Sequence, residues 1–209
     1  MTPYEIFGLI VGVIVLLATA WWLSLSLRRH RHHVWHDFAK RWNFSLQETP
    51  EIWELTGTYG NRRVRITTAA GSSDAEGGVA EVLVAVELHN VPAELIAEGT
   101  PGSLGTVVQA IDSEANTISL GNDDFDRAVR CVCPHEAEAL HYWTSNRQWV
   151  LLDLLEKVPT DRLAVRERGL EAEFRSVLSD LEQLEQIVGM LTSTAPQLDG
   201  GPIVAKVED

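Results

Sequence analysis

The sequence is poor in cysteine, poor in basic residues and empty of the short motifs that mark common catalysts. Two cysteines in 209 residues exclude a disulfide-built scaffold. Its 17 Lys and Arg face 30 Asp and Glu, for a formal charge of −13. A chain so short of cations is not a nucleic-acid binder, because phosphate contacts supply much of that affinity. There is no G-x-S-x-G, no G-x-x-x-x-G-K-[ST] and no H-E-x-x-H, and Gly99, Gly102 and Gly105 miss the G-x-G-x-x-G spacing. These gaps weigh against an enzyme and leave no catalytic residue and no cofactor to assign. The hydrophobic share of 45% and charged share of 22% exclude a wholly disordered chain. The length allows one ordinary domain with an appendage.

Charge is also missing over one long run. From Ile6 to Leu27 no ionisable residue occurs, and a helix of that length spans roughly 33 Å, enough for a ~30 Å hydrocarbon layer. Residues 1–27 therefore read as a transmembrane anchor, with Trp21 and Trp22 placed for the interface. Gly8 and Gly12 form one G-x-x-x-G, through which two anchors could approach as a homodimer. The small residues Ala18-Thr19-Ala20 would suit a signal peptidase. However, Glu5 is the only charged side chain in the first five residues, so the basic n-region is missing, and the apolar run continues past Ala20.

Arg28, Arg29, Arg31, Lys40 and Arg41 follow the anchor with only Asp37 against them. The positive-inside rule then puts the N-terminus outside and the remainder in the cytoplasm. Residues 28–42 read as a basic juxtamembrane helix striped with Val34, Trp35, Phe38 and Trp42. Two uses of that stripe are open. It could lie along an anionic bilayer, each cation contributing about 1 kcal/mol, with Trp35 joining Arg28, Arg29 and Arg31 at the interface, or it could pack on the folded domain. Beyond the collar, residues 42–209 hold 12 basic and 28 acidic residues, so the molecule is dipolar, with a cationic neck and an acidic head.

Residues 43–192 read as one α+β domain with an antiparallel sheet and packed helices. Val64 and Ile66 alternate with Arg63 and Arg65, the period of a half-exposed strand, and Gly60-Asn61 reads as its hairpin turn. Residues 71–78 read as a flexible loop and residues 79–89 as a strand with Val82, Val84, Val86 and Leu88 on one face. Residues 106–111, 117–120 and 128–133 read as short strands. Pro134 suits the first turn of a helix over 134–144, and Asn146 the cap of another whose apolar positions are Trp149, Val150, Leu152, Leu154 and Leu155. Leu163–Glu167 and Leu170–Arg175 form a hairpin through Gly169. Val177, Leu181, Leu184, Val188 and Leu191 trace a last helix, with Ser179-x-x-Glu182 as capping box. That helix is a second route to a homodimer. The Pro- and Gly-containing tail, 193–209, reads as disordered.

Three clusters invite chemistry. Cys131-x-Cys133-Pro134-His135, with His141 beyond, has zinc-ligand residue types, but it misses the C-x₂₋₄-C spacing and has no second pair. On a strand both thiols would be small buried hydrophobes. His30, His32, His33 and His36 could bind metal or sense pH beside the membrane, or sit idle among topogenic arginines. Asn122-Asp123-Asp124-Phe125-Asp126 lacks the Gly and Glu of a calcium loop and reads as a polar turn.

The stretch Gly57-Thr58-Tyr59-Gly60-Asn61-Arg62-Arg63-Val64, then Gly121-x-x-x-Phe125-Asp126-Arg127-Ala128-Val129 and the apolar helix around Arg147–Leu155, resembles bacterial single-pass membrane-anchored proteins with no assigned activity. The resemblance spans roughly residues 50–192. It implies a bacterial inner-membrane location and transfers no site residue. The expectation is a single-pass protein whose partners are the bilayer and another protein. The alternative is a tethered metal- or pH-sensing domain, or an enzyme, using Cys131, Cys133 and His135 or the juxtamembrane histidines.

Overall fold

A computed structural model describes residues 15, 16, 19, 33–49, 52–69, 81–100, 117–175, 178 and 180–199. Most of the charge-free run, with Trp21, Trp22, Arg28, Arg29 and Arg31, lies outside the described residues, as do the readings for 71–78 and 106–111. Among the described residues no helix is long and apolar enough to cross a membrane.

The domain is α+β, with five helices and eight strands among the described residues. Helix α1, described over 33–42, is followed by β1 (Ser45–Glu48), β2 (Ile52–Tyr59), β3 (Arg62–Ala69), β4 (Glu81–Glu87) and β5 (Ile96–Gly99). Then come α2 (Asp123–Ala128), β6 (Val129–Val132), α3 (Glu136–Tyr142), α4 (Ser145–Lys157), β7 (Arg162–Arg166), β8 (Gly169–Phe174) and α5 (Leu181–Leu198). The strands form one sheet in the order β1-β2-β3-β4-β8-β7-β5-β6, with every pair antiparallel.

The period-2 patterning can be followed across the whole sheet. Leu46, Leu55, Ile66, Val84, Ala172, Leu163, Gly99 and Val129 stand side by side in register. One residue along, the same eight strands present Ser45, Thr56, Arg65, Ala85, Glu171, Ala164, Glu98 and Arg130. Side chains alternate across a strand, so the first row makes an apolar face and the second a polar one. The helices cover the apolar face: Trp35 meets Trp53 edge-on and Trp42 lies on Tyr59, Leu155 sits over Gly99, and α5 crosses β2 and β4. The polar face carries cross-strand ion pairs, Arg65–Glu54 at 2.9 Å and Arg166–Glu171 at 2.9 Å, and Arg162 clamps Glu98.

Several expectations change at element ends. Trp35 is 1% exposed and Phe38 0%, so the stripe of α1 belongs to the domain core and Trp35 is not available to a bilayer interface. Asn43 ends α1 at φ 55°, a left-handed stop that asparagine tolerates. The chain then folds back so that the Phe44 ring fills the space a side chain at Gly57 would need. Residues 123–128 are a helix, not the lead-in to a strand, because Asn122 caps it by accepting from the Asp124 and Phe125 amides. Pro134 precedes the α3 cap, His135, and α4 is capped by Thr144, not Asn146. The β7–β8 turn is Glu167-Arg168, with Gly169 already in β8. Asp180, not Ser179, caps α5 by accepting from the Glu182 amide. Finally, α5 runs through Pro196 to Leu198, so residues 193–199 are folded and the domain does not end at 192.

Candidate functional site

On the helix side, the starts of α2 and α4 meet at a shallow cleft of about 660 Å³, within the range of small-molecule sites. Its frame is a chain of side-chain hydrogen bonds. Asn122 donates from Nδ2 to Gln148 Oε1 at 2.9 Å, and Gln148 donates from Nε2 to the Trp143 carbonyl at 3.1 Å. Residues 117–120 make only an isolated bridge, Thr117 to Val132, in place of the expected strand, and Asp126 fixes this segment by accepting from the Leu120 and Gly121 amides and the Ser119 hydroxyl at 2.9, 3.1 and 2.7 Å. The acids that suggested a cation loop are thus divided: Asp126 holds backbone, Asp124 pairs with Arg127 at 2.5 Å, and Asp123 faces the cleft. Trp143, 3% exposed, packs against Phe125 and Tyr142 beneath the opening. Trp149 stands at the edge, 60% exposed. The sequence pattern places Trp149 on the buried face of α4; that face is instead made by Gln148, Leu151, Leu154 and Leu155.

The cysteine cluster is split by burial. Cys131 lies in β6, 1% exposed, and Cys133 just after it, 8% exposed, both as free thiols. His135 and His141 are exposed. Among the described residues no three His, Cys, Asp or Glu side chains are grouped to hold a metal ion. His36 pairs with Glu48 at 2.9 Å; His30 and His32 lie outside the described residues.

Burial pushes the Cys131 thiol from the usual 9.0 up to about 12, against a smaller opposing pull from the Trp143 indole. Burial likewise raises Tyr142 above its ordinary 10.0. The sign follows from linkage. A group that holds its proton more tightly when folded contributes stability below its unfolded pKa, and that contribution is lost as pH rises through the folded value. The urea midpoint should therefore fall as pH rises from 9 to about 12, with a shallower fall in Cys131→Ala. At neutral pH Cys131 should resist alkylation until the protein is unfolded. Labelling of Cys131 in the native state would contradict this placement.

No protein-family model and no curated protein matches the sequence. Among solved structures, the crystal structure of the mycobacterial trehalose monomycolate transport factor A, TtfA, superposes on 82% of this chain and 94% of its own, with a TM-score of 0.52 and 10% identity. The two chains share a fold. At that identity the likeness to TtfA concerns architecture and transfers no residue's role.

Proposed function

We propose that this chain is a bacterial single-pass inner-membrane protein, probing no substrate of its own, whose acidic domain is held at the cytoplasmic surface to engage a protein partner. The carrying observation is the continuity between the charge-free run and the core. Six residues, seven Cα steps, separate Leu27 from Val34, and Val34, Trp35 and Phe38 are buried. Even fully extended, that connection reaches only about 25 Å. A domain rooted so close to its anchor is presented at a fixed height, which suits an adaptor for another membrane protein better than a tethered enzyme that must search for substrate. The shared fold with TtfA, described as a transport factor, is in keeping with an accessory role. The basic neck would draw anionic headgroups while the acidic head is repelled from them at low salt.

Fractionation and topology test the reading together. The full chain should stay with membranes through an alkaline wash, and deletion of 6–27 should release it. A reporter active only in the cytoplasm should work when fused after Asp209. Activity only from a periplasmic reporter would reverse the topology, and a soluble full-length chain would remove the anchor.

A further inference from the structure

Trp149 is the most exposed large apolar side chain of the described domain, at 60% against 48% for Ile52 and 47% for Leu140. It stands over the cleft between the starts of α2 and α4. Beside it, the Asp123 carboxylate and the Ser145 hydroxyl line the same space, and neither makes a hydrogen bond or ion pair among the described residues. Most other polar groups of the frame are occupied, the buried Trp143 indole N–H being without a hydrogen-bond partner among the described residues. Asn122 and Gln148 hold one another, Gln148 also holds the Trp143 carbonyl, and Thr144 caps α4. The cleft is thus framed by internal hydrogen bonds and keeps two solvent-exposed polar side chains next to an indole face.

The charge pattern narrows what sits there. No Lys, Arg or His lines the cleft, so an anion would face Asp123 and Asp124 with only the partial positive charge of the α4 N-terminus in its favour. A cation would be drawn to Asp123 against that same partial charge. A neutral ligand depends on neither. It must offer an apolar face for the indole and hydroxyls that donate to a carboxylate and exchange with Ser145, which is the chemistry of a sugar ring. We propose that this cleft binds a neutral saccharide, stacked on Trp149 and hydrogen-bonded by Asp123 and Ser145. This assignment is independent of the anchor and of the partner proposed above.

The test uses the full chain in detergent, isotope-labelled, titrated with gluco-, galacto- and manno-configured disaccharides, and with choline and inorganic phosphate as charged probes. At least one disaccharide should shift the Ser145 and Asn122 signals saturably. Trp149→Ala should weaken that binding at least about tenfold, equivalent to ~1.4 kcal/mol. Asp123→Ala should weaken it several-fold, and Trp149→Phe should keep part of it. Because Trp149 and Asp123 are exposed, the variants should unfold at the wild-type temperature, which separates lost binding from lost fold. The proposal is overturned by no saturable shift with any disaccharide, by binding unchanged in Trp149→Ala, or by choline or phosphate binding more tightly than the sugars.

Discussion

Phe38→Ala is expected to destabilise the protein by about 3–5 kcal/mol, the usual cost of removing an aromatic side chain from a close-packed interior. Phe38 is 0% exposed and meets Phe44 edge-on, with ring centroids 5.3 Å apart. Phe44 in turn occupies the space above Gly57 in β2, so the cavity would open between helix and sheet, where the backbone has little room to collapse. Trp35→Ala should cost a similar amount through its contact with Trp53. Lys40→Ala, on the exposed side of the same helix, should stay within about 0.5 kcal/mol. Urea unfolding of the full chain in detergent, followed by near-ultraviolet dichroism, measures all three. If α1 were a membrane-surface helix, Phe38→Ala would leave the midpoint unchanged and weaken lipid binding instead; that pattern would refute the placement of α1 in the core.

The contrast between the middle of the domain and its two ends explains what the sequence could reveal. The strands of β2, β3 and β4 were legible because alternation is a local property: Val64, Ile66, Val82, Val84 and Val86 all point to the core, as their spacing requires. The stripe on α5 was legible for the same reason at a period of 3.6, and Leu184, Val188 and Leu191 are buried. The ends depend on distant partners. Nothing near residue 35 says that β2 will offer Trp53, and nothing near 196 says that Arg147 will reach the end of α5. The cleft was hidden for a related reason. It exists only where Asn122 meets Gln148, 26 residues on, and Trp149, apolar like its core neighbours, is turned outward by its helix. A tryptophan out of phase with Leu151, Leu154 and Leu155 was the available signal.

Ending the chain at Thr192 is expected to cost at least about 4 kcal/mol, while ending it at Asp199 should cost little. The sequence argues the other way, since Pro196 removes an amide donor and a glycine pair follows Asp199. Tertiary bonds override that local preference. Ala195 and Leu198 are 0% exposed, and a core Leu-to-Ala change alone costs 2–5 kcal/mol, as an order-of-magnitude guide. The last carbonyls of α5, which have no partner within the helix, are taken up from outside. Tyr142 donates from its hydroxyl to the Leu198 carbonyl at 2.5 Å, and Arg147 donates to the Asp199 carbonyl at 2.6 Å while stacking on the Tyr142 ring. The Asp199 carboxylate accepts from Arg62 and, at 2.7 Å, from the His89 amide. Truncation at 192 would therefore empty part of the core and leave Arg62, with only 15% of its side chain exposed, without its carboxylate, a loss costlier than that of a surface pair. Arg147→Ala in the full chain should give a smaller fall, about 1–3 kcal/mol, because it removes the carbonyl clamp and leaves Leu198 in place. Equal urea midpoints for chains ending at 192 and 199 would show that the last turn of α5 contributes nothing, and would restore the tail to the unfolded part of the chain.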